Sequence, residues 1–222
     1  MKYIVGNWKS NKNLSEATAW LDAFTSYELG LFKNTVRVAI AAPFPLIALV
    51  KDTLRAFPWV KVASQDISPF GAGSYTGAVS THNLDHLIDY CIIGHSERRK
   101  YFGETDTLIA AKTDIAHSSN IGTIVCVRSA QDIIPPHADF IAYEPVGAIG
   151  TGHNEPLENV LAVKKMLSIP SSSYFIYGGS ANPGNARQYL ESPEIDGLLP
   201  GTASLNPKEF YNICLEAYAL TK

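Results

Sequence analysis

The chain is poor in cysteine and carries no strong excess of charge. Its 222 residues include three cysteines, Cys91, Cys126 and Cys214, which lie far apart in the sequence and form no CxxC pair. An odd number of widely spaced cysteines argues against a disulfide framework and favours reduced thiols in a cytoplasmic protein. A formal net charge of −3 gives no basic surface for nucleic acid or for an anionic membrane. We therefore expect any anionic ligand to be bound by local groups.

Long apolar runs are missing as well. The first residues, MKYIVGNWKSN, lead directly into a strand pattern and lack the apolar stretch of a signal peptide. No segment approaches the length of a membrane span. We therefore expect a cytoplasmic protein without a membrane anchor. Since 46% of the residues are hydrophobic, the chain can bury a sizeable core.

The sequence does contain eight short apolar runs, bounded by Gly, Pro, Asn or Asp. Several lack the apolar/polar alternation of a half-exposed strand, which is typical of parallel strands covered on both faces. The eight predicted strands are Tyr3–Trp8, Arg37–Ala42, Val60–Ser64, Tyr90–Gly94, Ile121–Cys126, Phe140–Tyr143, Tyr174–Tyr177 and Gly197–Pro200.

Stretches with helical periodicity and helix start signals lie between most of these runs. The predicted helices are Leu14–Leu29, Leu46–Ala56, Thr105–Ser118, Leu157–Leu167, Asn182–Leu190 and Pro207–Ala219. This alternation predicts an α/β fold in which residues 1–222 form a single (β/α)8-barrel domain. The alternative, an open doubly wound sheet, is weakened because neither GxGxxG nor GxxxxGK[ST] follows any strand.

Two intervals break the regular alternation. Asp66–Ser80 is a long Gly/Ser-rich loop, and such a loop in a compact domain is usually functional or interfacial. The interval from Val127 to Asp139 has room for no more than about two helical turns. The sequence therefore predicts a shortened helix after strand five.

Three residues at strand ends are candidates for chemistry, because function gathers at the carboxyl ends of barrel strands. Lys9 follows the first strand, His95 the fourth and Glu144 the sixth. Each also has a purely structural interpretation: a solvated loop lysine, a histidine that caps the next helix, and a carboxylate that caps a turn. Taken singly, none of the three decides the function.

Glycine-rich turns follow the last two strands, at Gly178-Gly179-Ser180 and at 201–204. Exposed backbone N–H groups at such turns form an anion cradle, and barrels frequently bind phosphate after strands seven and eight. A third glycine-rich segment, residues 146–152, directly follows Glu144. It suits a loop that moves over a ligand, or a plain flexible loop.

A series of longer motifs runs through essentially the whole chain: GNWKSN at 6–11, IGHSERR at 93–99, FGE at 102–104, AYEPV at 142–146, AIGTG at 148–152, YGGS at 177–180, DGLL at 196–199, Gly201 and ASL at 203–205. In their order and spacing, these motifs resemble those of the triosephosphate isomerase family. The resemblance implies a cofactor-free, metal-free TIM barrel that interconverts dihydroxyacetone phosphate and glyceraldehyde 3-phosphate. It also implies a homodimer.

The resemblance assigns the chemical roles position by position. Glu144 would be the base that removes the proton beside the substrate carbonyl. His95 would polarise that carbonyl as a neutral imidazole. Asn7 and Lys9 would complete the oxyanion-stabilising group, and Glu97 would support Lys9.

The remaining implied positions bind the phosphate, close the site or form the dimer. The phosphate-binding residues would be Gly150, Ser180, Gly201 and Thr202. The lid and clamp would comprise Pro145, Val146, Gly147, Ala148, Ile149, Thr151, Gly152, Tyr177 and Leu199, with Ile149 and Leu199 closing over the base. In the dimer loop, Gln65 precedes Thr76, which would reach the neighbour's Asn7 and His95.

The chain departs from the family pattern at a few positions. Gly147 replaces a tryptophan of the lid, and Ser129 replaces the glutamate that often pairs with it, which predicts a more mobile lid with preserved turnover. His153 replaces a lysine, Thr202 a second glycine, and Ala78 an acidic residue of the dimer loop.

Two other functions compete with the isomerase interpretation. Another phosphosugar isomerase or aldolase on the same barrel would need a metal cluster or a Schiff-base lysine, and the sequence shows neither. A catalytically impaired phosphate-binding barrel would be expected to lack Lys9, His95 or Glu144, yet all three are present.

Overall fold

Eight parallel strands close into a barrel in the computed structural model, which describes residues 1–145 and 154–222. The strands are β1 (Lys2–Asn7), β2 (Val36–Ala42), β3 (Val60–Ser64), β4 (Tyr90–Ile93), β5 (Gly122–Val127), β6 (Phe140–Tyr143), β7 (Tyr174–Tyr177) and β8 (Gly197–Leu198). Each strand pairs with the next along the chain, and β8 pairs with β1. The closed barrel confirms the predicted fold class and excludes the open sheet.

Helices surround the barrel. They are α1 (Leu14–Thr25), α2 (Ile47–Thr53), α3 (Ser96–Phe102), α4 (Asp106–Ser118), α5 (Leu157–Met166), α6 (Ala186–Leu190) and α7 (Pro207–Ala219). Short 3-10 helices lie at Leu29–Phe32, Phe44–Leu46, Leu54–Ala56, His82–Leu84 and Thr202–Leu205. None of the helices described is long and apolar enough to cross a membrane.

Side-chain hydrogen bonds to the backbone explain where two of the helices begin. At the start of α1, the Asn13 side chain accepts from the Glu16 N–H and the Glu16 carboxylate accepts from the Asn13 N–H, a complete capping box. The predicted helix 182–190 begins only at Ala186, because Asn182 and Asn185 side chains accept the first N–H groups in a turn. The seven-residue helix α3 was not predicted, since only Gly94 and His95 separate it from β4.

The connection after β5 contains no helix. Residues 128–139, all of which the structure describes, form turns and bends. The Arg128 backbone and guanidinium donate to the Asp132 carboxylate at 2.7–3.0 Å, which closes a tight turn. Pro135 and Pro136 then remove two N–H groups that a helix would need. The shortened helix predicted after strand five is therefore replaced by a turn.

The core has two layers. Outside the strands, large side chains such as Trp8, Trp20, Phe24 and Phe210 pack beneath the helices. Inside the barrel the side chains are smaller: Val5, Ala39, Ala41, Ala63, Ile92, Ile124, Cys126, Phe140, Ala142, Ile176 and Leu199. This interior becomes polar at the carboxyl ends of the strands, where Asn7, His95 and Glu144 are all buried. A polar end on an otherwise apolar barrel locates the candidate site.

Candidate active site

A cavity of about 360 Å³ opens at the carboxyl ends of the strands. Its size lies within the range of small-molecule sites, about 300–1,000 Å³. Seven of its lining residues are those predicted for chemistry or for phosphate binding: Asn7, Lys9, His95, Glu144, Ser180, Gly201 and Thr202. The others are Gly178, Gly179, Ala181, Asn182, Leu199, Ala203 and Glu209. Strand ends that are far apart in the sequence therefore meet around one small polar space.

Lys9 is held in a strained backbone conformation. Its φ of 50° lies in the left-handed region, which costs a residue with a side chain about 1–3 kcal/mol. Three contacts fix it: its N–H donates to Asn7 Oδ1 at 2.9 Å, its carbonyl accepts from Gln65 at 3.0 Å, and its Nζ lies 2.5 Å from Glu97 Oε1. A Cβ at Gly201 would lie 3.1 Å from Lys9 Cε, so glycine lets the lysine stem pass. These contacts keep the ammonium group in the cavity.

The hydrogen bonds of His95 define its protonated nitrogen. His95 is the residue before α3, and its Nδ1 accepts from the Glu97 N–H at 3.2 Å. Because Nδ1 acts as an acceptor, the proton of the neutral ring lies on Nε2. Nε2 is 2.8 Å from Glu144 Oε1. The ring therefore presents an N–H donor to the cavity.

Glu144 is a buried carboxylate with two donors. Its side chain is 1% exposed, and its Oε2 accepts from the Ser96 N–H at 2.9 Å while Oε1 faces His95. Burial raises the pKa of Glu144, but His95 and the Ser96 N–H outweigh burial and leave that pKa below its usual value. Burial lowers the pKa of His95, whereas the Glu144 carboxylate outweighs it and raises that pKa. In this arrangement the carboxylate is held ionised.

The opposite side of the cavity is formed by two glycine-rich turns. A Cβ at Gly179 would lie 2.1 Å from the Tyr177 hydroxyl, so this position needs glycine. A Cβ at Gly178 would lie 3.0 Å from Glu144 Cγ, a tight contact. Thr202 begins a 3-10 helix and does not adopt a positive φ, so its side chain introduces no left-handed strain. Both turns thus bring the backbone close to the cavity.

The predicted lid is only partly described. Pro145, Tyr177 and Leu199 lie within the described residues, and Leu199 is buried in the cavity wall. The other lid and phosphate positions predicted here, Val146, Gly147, Ala148, Ile149, Gly150, Thr151 and Gly152, lie outside the described residues, as does His153.

The two predicted dimer-loop residues have different surroundings. Gln65 points into its own chain and donates to the carbonyls of Lys9 and Ala41 at 3.0 and 2.9 Å. Thr76 lies on an exposed turn. Beside it, the rings of Phe70 and Tyr75 stack 4.5 Å apart and remain about half exposed. Only Gln65 is thus brought to the site of the same chain.

A buried ionic cluster supports the rim beside His95, and the sequence analysis missed it. Lys112 Nζ on α4 lies 2.5 Å from both Asp66 Oδ1 and Glu104 Oε1, and Arg98 on α3 contacts the same two carboxylates at 2.8 and 2.6 Å. We call Asp66, Arg98, Glu104 and Lys112 the Lys112 cluster. Lys112 shares the buried face of α4 with Ile109 and Ala116, and a lysine at such a position was the available signal.

Comparison with known proteins agrees with this geometry. The family model described as triosephosphate isomerase matches residues 2–217. The triosephosphate isomerase of Thermus thermophilus is 36% identical, over 93% of this chain and 95% of that protein. That of Paracidovorax citrulli is 36% identical over 97% and 98%, and that of Mycoplasma mobile 34% identical over 96% and 98%. The chain therefore belongs to the triosephosphate isomerase family.

Proposed function

We propose that the protein interconverts dihydroxyacetone phosphate and D-glyceraldehyde 3-phosphate by proton transfer through an enediolate. The observation that carries this proposal is the meeting of Lys9, His95 and Glu144 in one cavity, with the buried carboxylate 2.8 Å from the imidazole Nε2. An acid–base group, a neutral donor and a cation are what this proton transfer requires. The two glycine-rich turns support binding of a phosphate at the other end.

Glu144 is the proposed base. A carbon-bound proton beside a carbonyl is weakly acidic, so the base must gain strength when the substrate is bound. Glu144 accepts from the Ser96 N–H and contacts His95 Nε2, and both contacts lower the pKa of Glu144. When the carboxylate turns toward the substrate carbon it leaves the Ser96 N–H, while its burial remains. Its pKa then rises, and it becomes the stronger base that the reaction needs.

Three donors stabilise the charge that develops on the substrate oxygens. His95 contributes its Nε2–H, a role that the Glu97 N–H secures by occupying Nδ1. Asn7 Oδ1 accepts from the Lys9 N–H, which leaves Asn7 Nδ2 to donate. Lys9 adds a positive charge, oriented by Glu97. Removal of one such preorganised donor typically raises the barrier by about 3–4 kcal/mol.

The phosphate is held by backbone N–H groups in this proposal. Ser180, Gly201 and Thr202 supply them from the cavity wall, and Gly150 supplies another from outside the described residues. Glu144 returns the proton that it removes from one carbon to the next, while a second proton passes from the substrate hydroxyl oxygen to the carbonyl oxygen. The carbonyl and hydroxyl groups thereby exchange places with no net oxidation or reduction, so the proposed reaction uses neither a cofactor nor a metal. Residues 145–152 form the proposed lid, with Tyr177 and Leu199 as its contacts.

The resemblance also leads us to propose a homodimer of a single-domain, cytoplasmic enzyme. The exposed Phe70–Tyr75 stack beside Thr76 supports an interface at the 66–80 loop, because large exposed aromatic groups favour burial against a partner. Gln65 connects this loop to the site through the Lys9 carbonyl. In the dimer, Thr76 would reach Asn7 and His95 of the partner subunit.

A coupled assay of triose phosphate interconversion tests the function. The wild-type protein should be fully active, and Glu144→Gln should lower kcat by several orders of magnitude with the fold intact. Glu158→Gln, the same change on the exposed face of α5, is the matched control and should match the wild type. Phosphate binding without turnover in the wild type would instead favour the impaired phosphate-binding barrel. Equal activity of Glu144→Gln and wild type would exclude Glu144 as the base.

A further inference from the structure

Two stacked tyrosines hold the chain at Asn154 and Glu155. Tyr177 ends β7 and Tyr189 lies in α6, and both side chains are fully buried. Their rings are 4.3 Å apart between centroids, with an interplanar angle of 20°. Tyr189 is not among the described residues that line the cavity, and the reaction proposed above does not use it.

The two hydroxyls together fix one backbone unit. The Tyr177 hydroxyl accepts from the Glu155 N–H at 3.0 Å. The Tyr189 hydroxyl donates to the Glu155 carbonyl at 2.6 Å and accepts from Asn154 Nδ2 at 2.8 Å. Both backbone polar groups of Glu155 are therefore bound, one by each tyrosine, and Asn154 is fixed beside it.

The same pair lies against the proposed phosphate site. A Cβ on Gly179 would come within 2.1 Å of the Tyr177 hydroxyl, so the phenol lies directly over the Gly178–Ser180 turn. Because Tyr189 of α6 stacks on one face of Tyr177, it blocks movement of that phenol towards α6. The contacts thus run from Asn154 and Glu155, through the two rings, to the turn that supplies the Ser180 N–H.

We propose that Tyr189 is a positioning residue for this isomerase, an inference that rests on the proposed function. Asn154 and Glu155 are hydrogen-bonded to the tyrosine pair, and the Tyr189 hydroxyl sets their distance from the phosphate turn. Phosphate affinity and turnover depend on it, although Tyr189 does not touch the substrate.

Tyr189→Phe tests the proposal, because it keeps the ring stack and removes only the hydroxyl. We expect kcat/KM to fall about three- to tenfold, tenfold corresponding to about 1.4 kcal/mol. The inhibition constant of inorganic phosphate should rise by a similar factor. Tyr211→Phe is the matched control, because Tyr211 is also buried and stacked, on Tyr27 at 4.6 Å and 28°, away from the cavity. Both its kcat/KM and its phosphate inhibition should equal those of the wild type.

A second variant completes the test. Asn154→Ala removes one partner of the Tyr189 hydroxyl at an exposed position, and it should weaken phosphate inhibition about threefold even if Tyr189→Phe does not fold. Unchanged phosphate inhibition in the foldable variants would overturn the proposal, as would equal losses in Tyr189→Phe and Tyr211→Phe. An inactive wild type would refute the proposed function instead, so the two failures are distinguishable.

Discussion

The Lys112 cluster allows a quantitative test of what supports the rim beside His95. Lys112 is 4% exposed at its side chain and forms ion pairs with Asp66 and Glu104, whose side chains are 13% and 1% exposed. Removing one partner of a buried ion pair typically costs about 3–5 kcal/mol. Arg98 still contacts both carboxylates in Lys112→Met, so we expect a loss of about 2–4 kcal/mol in the free energy of unfolding. At this chain length that lowers Tm by about 5–15 °C.

The pH dependence of this loss follows from the two carboxylates. Burial raises the pKa of Glu104, but Lys112 and Arg98 outweigh it and lower that pKa, so this pairing stabilises the fold at neutral pH and the contribution is lost as pH falls. Burial raises the pKa of Asp66 in spite of Lys112, so its ionisation already opposes folding. Without the lysine both pKa values rise, and protonation relieves part of the loss. The stability difference from wild type should therefore narrow from pH 7 towards about pH 5.

Urea unfolding of Lys112→Met and of Lys165→Met, at both pH values, measures this difference. Lys165 is an exposed lysine on α5, and its substitution should change stability by less than about 0.5 kcal/mol. If Lys112→Met were as stable as Lys165→Met, the buried lysine would not support the rim. A difference that widens on acidification would contradict the assignment of the carboxylates as its partners.

Two further outcomes are expected. Gly179→Ala should lower kcat/KM by at least about tenfold, because its Cβ would overlap the Tyr177 hydroxyl and displace the phosphate turn. Gly30→Ala is the control and should leave kcat/KM unchanged, because a Cβ there meets nothing within 4 Å. Normal kinetics for Gly179→Ala would contradict the close approach of Gly179 to Tyr177. Gel filtration at micromolar concentration should show a dimer, and Tyr75→Asp should shift it toward monomer; a wild type that elutes only as monomer would refute the proposed interface.

The barrel strands were predictable from sequence for a simple reason. Strands buried on both faces need continuous apolar runs, and Val60–Ser64 and Phe140–Tyr143 have the predicted bounds without change. Short helices were harder. Helix α3 carries Arg98, Arg99 and Lys100, and its amphipathic pattern is too short to detect over seven residues. After β5, the Arg128–Asp132 turn and two prolines prevented the expected helix.

At the candidate site, strand ends identified the charged side chains but not their supports. The position of Lys9 followed from the end of β1, whereas its positive φ and its contact with Gln65 depend on residues 56 positions apart. Likewise, the Ser96 N–H that holds Glu144 is a backbone group and leaves no mark in the sequence. Contacts between residues far apart in the sequence, and contacts to main-chain groups, form only when the barrel has folded, so the sequence alone does not reveal them.

The left-handed backbone at Lys9 has a consequence for engineering this protein. Glycine is the residue that suits this conformation best, and it has no amine. Selection for heat resistance alone would therefore favour the loss of the very cation that the proposed chemistry uses. Any stabilisation programme on this barrel should screen for turnover in the same round as for melting temperature.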